Sequence, residues 1–191
     1  YIVQNIKEEE EIILLLSQIK QTLNLKKIPN RIECYDISNT QGTNPVASMV
    51  TFINGSPDKA KYRKFKIATK GPNDYAMMSE AVSRRLKRIN EKGWEEPDLI
   101  LIDGGKGHLN KIAKLNLNGI DIVSIAKPRK NEKIDKIYTV SNKEPSDFRY
   151  KTKALNILIN ARNEAHRFAI KFHRDRRTKS MLGIDLKENL K

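Results

Sequence analysis

The spacing of apolar residues in the first third of the chain predicts three short β-strands in series. In the segment RIECYDI, alternation puts Ile32, Cys34 and Asp36 on one face of a strand. Glu33 and Tyr35 fall on the opposite face. The apolar segments VASMVTFI and YRKFKI follow, each after a loop of turn residues. Because short loops connect neighbouring strands, this order favours an antiparallel meander.

The rest of the chain alternates strands with helices. Residues 72–90 carry apolar side chains at helical spacing, after Asn73 or Asp74 as a capping residue. The apolar strands LILID and IDIVSIA follow, with a short helix from about His108 to Leu117 between them, and this alternation implies parallel pairing. The charged residues 127–150 predict a basic excursion or hairpin, and a long helix comes after them. On the first of these helices we expect outward-facing basic side chains at Arg84, Arg85, Lys87 and Arg88.

These elements predict one compact α/β domain with a mixed five-stranded sheet, three antiparallel strands followed by two parallel ones, flanked by helices. The length of 191 residues is that of one ordinary domain. We divide the chain into an N-terminal connecting helix at 1–29, the α/β domain at 30–180 and a C-terminal tail at 181–191. We expect the domain to be monomeric.

The charge of the chain indicates a polyanionic partner. Lys and Arg number 37 against 23 Asp and Glu, so the net charge is +14 at neutral pH. Nucleic acid is the first candidate partner, with an anionic membrane surface or a lysine-rich compositional bias as alternatives. Cys34 is the one cysteine, which excludes an internal disulfide and fits a reducing compartment. The apolar runs are too short to span a membrane and no signal peptide is evident, so we expect a cytoplasmic protein without membrane contact.

Two aspartates are candidates for chemistry. Asp36 lies on the inward face of the first strand, and Asp103 ends the most apolar one. A carboxylate in such a place is costly unless it is paired or bound to a metal. Each could cap a turn or meet an arginine, but together, on strands that lie side by side, they are typical of ligands for a hard divalent cation.

Basic and imidazole side chains on the last helix are the second candidate group. His166 shares an apolar helical stripe, where a lone histidine is usually a core residue, but guanidinium groups surround it. These residues suit phosphate oxygens, and His173 is either a phosphate contact or a surface residue. The predicted phosphate-binding set on this helix is Arg162, Arg167, His173, Arg174, Arg176 and Arg177.

The glycine-rich segment GGKG matches neither the Walker loop nor the dinucleotide-binding pattern. It offers backbone N–H groups and Lys106 near a helix start, which is a weak phosphate-binding signal beside Asp103. An ATPase built on this loop is therefore a poor interpretation.

Three segments resemble, in order and spacing, the C-terminal endonuclease half of UvrC, the incision subunit of bacterial nucleotide excision repair. They are RIECYDISNTQGTNPVASMV, LILIDGGKGHLN and ARNEAHRFAIKFHRDRRTKS. The resemblance implies an RNase H-like fold, an incision on the 5′ side of a lesion in damaged duplex DNA, and Mg²⁺ or Mn²⁺ as cofactor. It also implies that Asp36, Asp103 and His166 form the catalytic and metal-binding triad. The implied partners are UvrB and, indirectly, UvrA.

The chain departs from that family's pattern at Asn39, His108 and Asn163, where His, Gln and an acid are common. Counterparts of the family's GIY-YIG nuclease and tandem helix-hairpin-helix module are missing from these residues, so we expect a fragment or a reduced homologue. A basic module that binds DNA and docks partners without catalysis is the alternative, because the net charge supports both functions equally.

Overall fold

The computed structural model describes residues 2–38, 45–128, 130, 134–148 and 152–181, with side chains except at 2, 3 and 172–181. The α-helices are α1 Ile2–Leu23, α2 Asp74–Leu86, α3 Lys106–Ile112 and α4 Thr152–Met181, and Lys59–Lys61 form a 3₁₀ turn. The strands are β1 Arg31–Ser38, β2 Val46–Ile53, β3 Ser56–Pro57, β4 Arg63–Lys66, β5 Leu99–Asp103, β6 Asp121–Ala126 and β7 Lys136–Thr139. The predicted tail at 181–191 lies, apart from Met181, outside the described residues, as does Asn39.

One mixed sheet forms the centre of the described structure. Its strands run in the order β3-β2-β1-β5-β6-β7, and β4 also pairs with β2. The pairs β1–β5 and β5–β6 are parallel, whereas β1–β2 and β6–β7 are antiparallel. The predicted mixed α/β architecture is therefore confirmed. The predicted count of five strands is wrong, because the described residues form seven: β3 is two residues within a turn, and β7 lies in the charged segment.

The two faces of the sheet carry separate apolar clusters. On one face, Ile32, Cys34 and Leu101 pack with residues of α1 and α4. On the other face, Tyr35 and Ile102 pack with α2 and α3. Strand β5 is buried on both faces, as its continuous apolar sequence predicts. Helix α1 is part of the first cluster, and no helix of the described residues is long and apolar enough to cross a bilayer.

Helix α3 is shorter than the predicted span of His108 to Leu117. It begins at Lys106 and ends at Ile112. The following backbone turns away from the helix, since the amide of Leu115 bonds to the carbonyl of Ile112 at 2.9 Å. Asn118 then adopts a positive φ of 50°, which a helix cannot contain. The helix therefore stops before the apolar residues that suggested its continuation.

Arg85 corrects the prediction that all the basic residues of α2 face outward. Its side chain is fully buried, and its Nη2 lies 2.8 Å from Oε1 of Glu33. The hydroxyl of Tyr35 donates to the same carboxylate at 3.0 Å. Alternation along β1 had placed Glu33 on this face, and a buried carboxylate needs a cation. The side chain of Arg85 is therefore buried because it forms an ion pair with the buried carboxylate of Glu33.

Candidate active site

The candidate site lies at the sheet edge where β1 and β5 end. These strands are parallel neighbours, with Tyr35 opposite Ile102, so Asp36 and Asp103 come next to each other. Helix α4 crosses the same face and brings His166 to them. One possible ligand atom from each of the three side chains lies within 4.8 Å of the others. His166 Nδ1 is 3.3 Å from Oδ2 of Asp36, and the imidazole is 50% exposed.

Burial makes the two carboxylates unusual acids. It raises the pKa of Asp36, an effect that the neighbouring His166 opposes. Burial and then the negative charge of Asp36 raise the pKa of Asp103 to about 6. Two acids this close, away from bulk water, disfavour joint ionisation. The site thus concentrates negative charge that a cation would stabilise.

Two cations of the protein act on this pair of carboxylates. The positive charges of Arg162 and Lys127 oppose the rise in the pKa of Asp103. Lys127 also acts on Asp36 in the same sense. Lys127 is exposed, two residues beyond Ile125, which pairs with Asp103 across β5 and β6.

Arg162 is held inside the protein. It is only 5% exposed, and its Nη1 is ion-paired with the carboxylate of Asp135. Its Nη2 donates to Oδ1 of Asn163 at 2.9 Å. Little of this guanidinium is therefore left to meet a DNA phosphate. From this buried position the positive charge of Arg162 acts on Asp103 through the protein interior and lowers the pKa of that carboxyl.

Two other predicted phosphate-binding residues, Lys106 and Arg167, have side chains that bond to groups of the protein. Lys106 is near the site in sequence, but its Nζ donates to the carbonyl of Lys143 at 2.5 Å. Arg167 is exposed and donates to Oε1 and Oε2 of Glu164 at 2.6 and 2.7 Å. The remaining four lie on the last turns of α4, where side chains are outside the described part of the chain: His173, Arg174, Arg176 and Arg177.

Sequence reasoning missed Lys127 and Asp135. Both could have been found from period-2 alternation. Ile125 and Ile137 face α4, so residues two positions beyond them at this edge, Lys127 and Asp135, point the same way. The signal that was missed is the antiparallel pairing of β6 with β7, in which the first residue of β7, Lys136, lies opposite the last residue of β6, Ala126.

The donor set fits a divalent cation. Two carboxylates and one imidazole converge, and hard carboxylate oxygens suit Mg²⁺ or Mn²⁺. The imidazole favours Mn²⁺, because Mg²⁺ prefers oxygen ligands. Ser48, which pairs with Asp36 across β1 and β2, also has a buried hydroxyl without a partner among the described residues. The hydroxyl of Ser48 can thus form a hydrogen bond to a ligand or to water at this edge.

The model of the UvrC RNase H endonuclease domain matches residues 20–170. The chain belongs to this family. It is 45% identical over 190 residues to UvrABC system protein C of Cytophaga hutchinsonii, covering 96% of this chain and 31% of that protein. The corresponding protein of Methanosphaera stadtmanae is 42% identical over 189 residues, covering 93% and 30%. The family resemblance of the three sequence segments is thus confirmed, and this UvrC-type domain spans about a third of those relatives' length.

Endonucleases V are among the solved structures similar to this UvrC-type domain. The catalytic domain of human endonuclease V is 11% identical, with a TM-score of 0.46, and the match covers 92% of this chain and 99% of that one. Ciona intestinalis endonuclease V, in complex with a DNA containing inosine, is 14% identical, with a TM-score of 0.41, covering 68% and 59%.

Proposed function

We propose that this UvrC-type domain is a divalent-metal-dependent DNA endonuclease of nucleotide excision repair. In this proposal it hydrolyses a phosphodiester on the 5′ side of a lesion in duplex DNA. The observation that carries the proposal is the convergence of Asp36, Asp103 and His166 within 4.8 Å at one sheet edge. Membership of the UvrC RNase H endonuclease family supports the same reaction.

The three side chains have distinct roles in the proposed reaction. Asp36 and Asp103 would hold Mg²⁺ or Mn²⁺, which when bound supplies Lewis-acid activation of water and of the phosphodiester. His166 would either complete the coordination or act as the general base. His166 is half-exposed, so a ring nitrogen is within reach of a water molecule and can take its proton as general base. Asp36 orients that imidazole through the 3.3 Å contact with Nδ1.

Nearby cations stabilise the charge that develops on the phosphate. Lys127 is exposed beside both carboxylates and can approach a phosphate oxygen directly. Arg162 acts from the interior, by keeping Asp103 ionised. Lys106, Arg167 and the basic last turns of α4 supply contacts to the DNA backbone, which give affinity without sequence preference.

Damage selectivity is supplied by other proteins in this proposal. Contacts to the DNA backbone do not recognise a lesion, so other proteins must locate the lesion before this domain binds the duplex. The family resemblance makes UvrB the direct partner and UvrA an indirect one.

The test compares Asp36→Asn, Asp103→Asn and His166→Ala with the wild type in nicking a lesion-bearing duplex with Mn²⁺, UvrA and UvrB. Each variant should lose at least about 100-fold in nicking rate, the lower end of a general acid–base contribution. DNA affinity should stay unchanged. The matched control is Asp121→Asn, a carboxylate at the start of β6 and so at the opposite sheet edge. Wild-type nicking in all three variants would end the assignment of Asp36, Asp103 and His166 as the nuclease site. DNA binding without nicking by the wild type would leave the non-catalytic DNA-binding module as the function.

A further inference from the structure

Tyr75 presents an aromatic ring to solvent on the α2 and α3 face of the sheet, at the end of β5 that carries Asp103. It lies in the first turn of α2, and 47% of the residue is exposed. Its ring stacks on the imidazole of His108, with centroids 4.3 Å apart and planes tilted by 44°. The hydrophobic cluster on this face of the sheet does not include it. The position of Tyr75 is therefore not explained by core packing.

Two glycines make room for this stack. A Cβ atom at residue 107 would lie 3.1 Å from Cε1 and Oη of Tyr75, so Gly107 allows the ring to rest on the first turn of α3. A Cβ atom at residue 104 would lie 2.6 Å from Nδ1 of His108, which is closer than real Cβ contacts. Gly104 thus allows the imidazole to lie on the backbone. Two of the three glycines of GGKG, Gly104 and Gly107, are thus accounted for by the aromatic pair, without a nucleotide.

The stack is attached directly to the catalytic strand. Gly104 follows Asp103, and the charge of Asp103 acts on His108. Burial lowers the pKa of His108, an effect that the negative charges of Asp74 and Asp103 oppose. The outer face of the pair is an aromatic surface packed on α3, at the same end of β5 as Asp103.

We propose that Tyr75, supported by His108, is a stacking platform for an unpaired nucleobase of the DNA next to the phosphodiester that is cut. This inference rests on the proposed nuclease function. A tyrosine ring recognises the π-face that every base shares, so the platform favours unpaired DNA without sequence preference. By stacking on an unpaired base, the ring would keep the two DNA strands apart at the incision point. A fully paired duplex has no free base face to which the ring could bind.

The experiment measures binding of the 191-residue chain, without divalent metal, to two DNA duplexes. One carries a short unpaired bubble with 2-aminopurine in it, and the other is fully paired. Tyr75→Leu should weaken binding to the bubble about 5- to 150-fold, the range for one base–aromatic stack, and should abolish the change in 2-aminopurine fluorescence. Tyr75→Phe should keep both within about twofold, because the ring is retained.

The control is Ile13→Ala, which removes another exposed apolar side chain, on α1 across the sheet. It should bind both duplexes as the wild type does, and thermal melting should show all variants folded. Equal affinities of wild type and Tyr75→Leu for the bubble would overturn the platform. An equal loss on paired duplex, or no binding of the bubble by the wild type, would overturn it as well.

Nicking assays separate this inference from the proposed function. If the wild type nicks DNA but Tyr75→Leu binds the bubble normally, the platform is wrong and the nuclease assignment stands. If the wild type never nicks but binding depends on the ring at residue 75, the nuclease assignment is wrong and the base-stacking site stands.

Discussion

Removing the charge of Asp103 should stabilise the metal-free protein. Burial and the adjacent Asp36 raise the pKa of Asp103 from 3.8 to about 6. The native state therefore binds this proton more tightly than the unfolded chain does. The stabilisation that the protonated carboxyl provides is complete below about pH 4, and it is lost as the pH rises through about 6. Above pH 6 the wild type retains an unfavourable charge that Asp103→Asn lacks.

The size of the effect follows from the pKa shift. A rise of about two pKa units corresponds to roughly 3 kcal/mol of unfolding free energy at neutral pH. This value already contains the favourable interaction of the ionised carboxylate with Arg162, which the asparagine lacks. For a chain of this size, each kcal/mol moves the melting midpoint by about 2–4 °C. Asp103→Asn should therefore melt several degrees above the wild type.

The assay is thermal unfolding in a chelator between pH 4 and pH 7.5. The advantage of Asp103→Asn should be absent near pH 4, grow through pH 5 and 6, and level off above pH 7. Excess Mn²⁺ should reverse the order, because metal that binds only the native wild type raises its midpoint. Asp121→Asn, at the opposite sheet edge, should show neither effect. Equal or lower stability of Asp103→Asn at pH 7.5 in chelator would refute the claim that this carboxyl is desolvated.

Three further substitutions test the interior and the cations of the site. Arg85→Ala should lower the unfolding free energy by about 3 kcal/mol in urea, because it leaves the buried Glu33 carboxylate with Arg31 as its remaining cation. Exposed Arg84→Ala should change it by less than about 0.5 kcal/mol. Lys127→Ala should lower the nicking rate by about tenfold or more with lesion-DNA affinity within twofold, and an unchanged rate would exclude it from the site. Asp135→Asn should destabilise by about 3 kcal/mol, and a double-mutant cycle with Arg162→Gln should show coupling above 1 kcal/mol; additive effects would contradict the ion pair.

Local pattern was enough to predict the central strands and the convergence of two acids. Alternation in β1 put Asp36 on the α4 face, and the apolar run of β5 ended in Asp103. Pattern failed where long-range partners decide the outcome. Arg85 sits among other basic residues of α2, and only the carboxylate of Glu33, 52 positions away, explains its burial. The charged segment 127–150 predicted a basic excursion or hairpin, and β7 within it was not counted in the sheet, because a four-residue edge strand does not reveal its partner.

The sheet explains how the fold keeps two carboxylates together although burial disfavours their ionised forms. Strand β5 is buried on both faces and hydrogen-bonds to neighbours on both sides, so Asp103 cannot move away from Asp36 without breaking the core. The same constraint that raises the pKa of Asp103 therefore preorganises its oxygen for a cation. Protons and metal then compete for Asp103, and for Asp36, whose pKa is also raised. The affinity for Mn²⁺ should therefore fall at least about tenfold per pH unit below pH 6 while changing little above pH 7. Calorimetric titration at pH 5 and pH 7.5 measures this directly, and a pH-independent affinity would mean that Asp103 does not bind the ion.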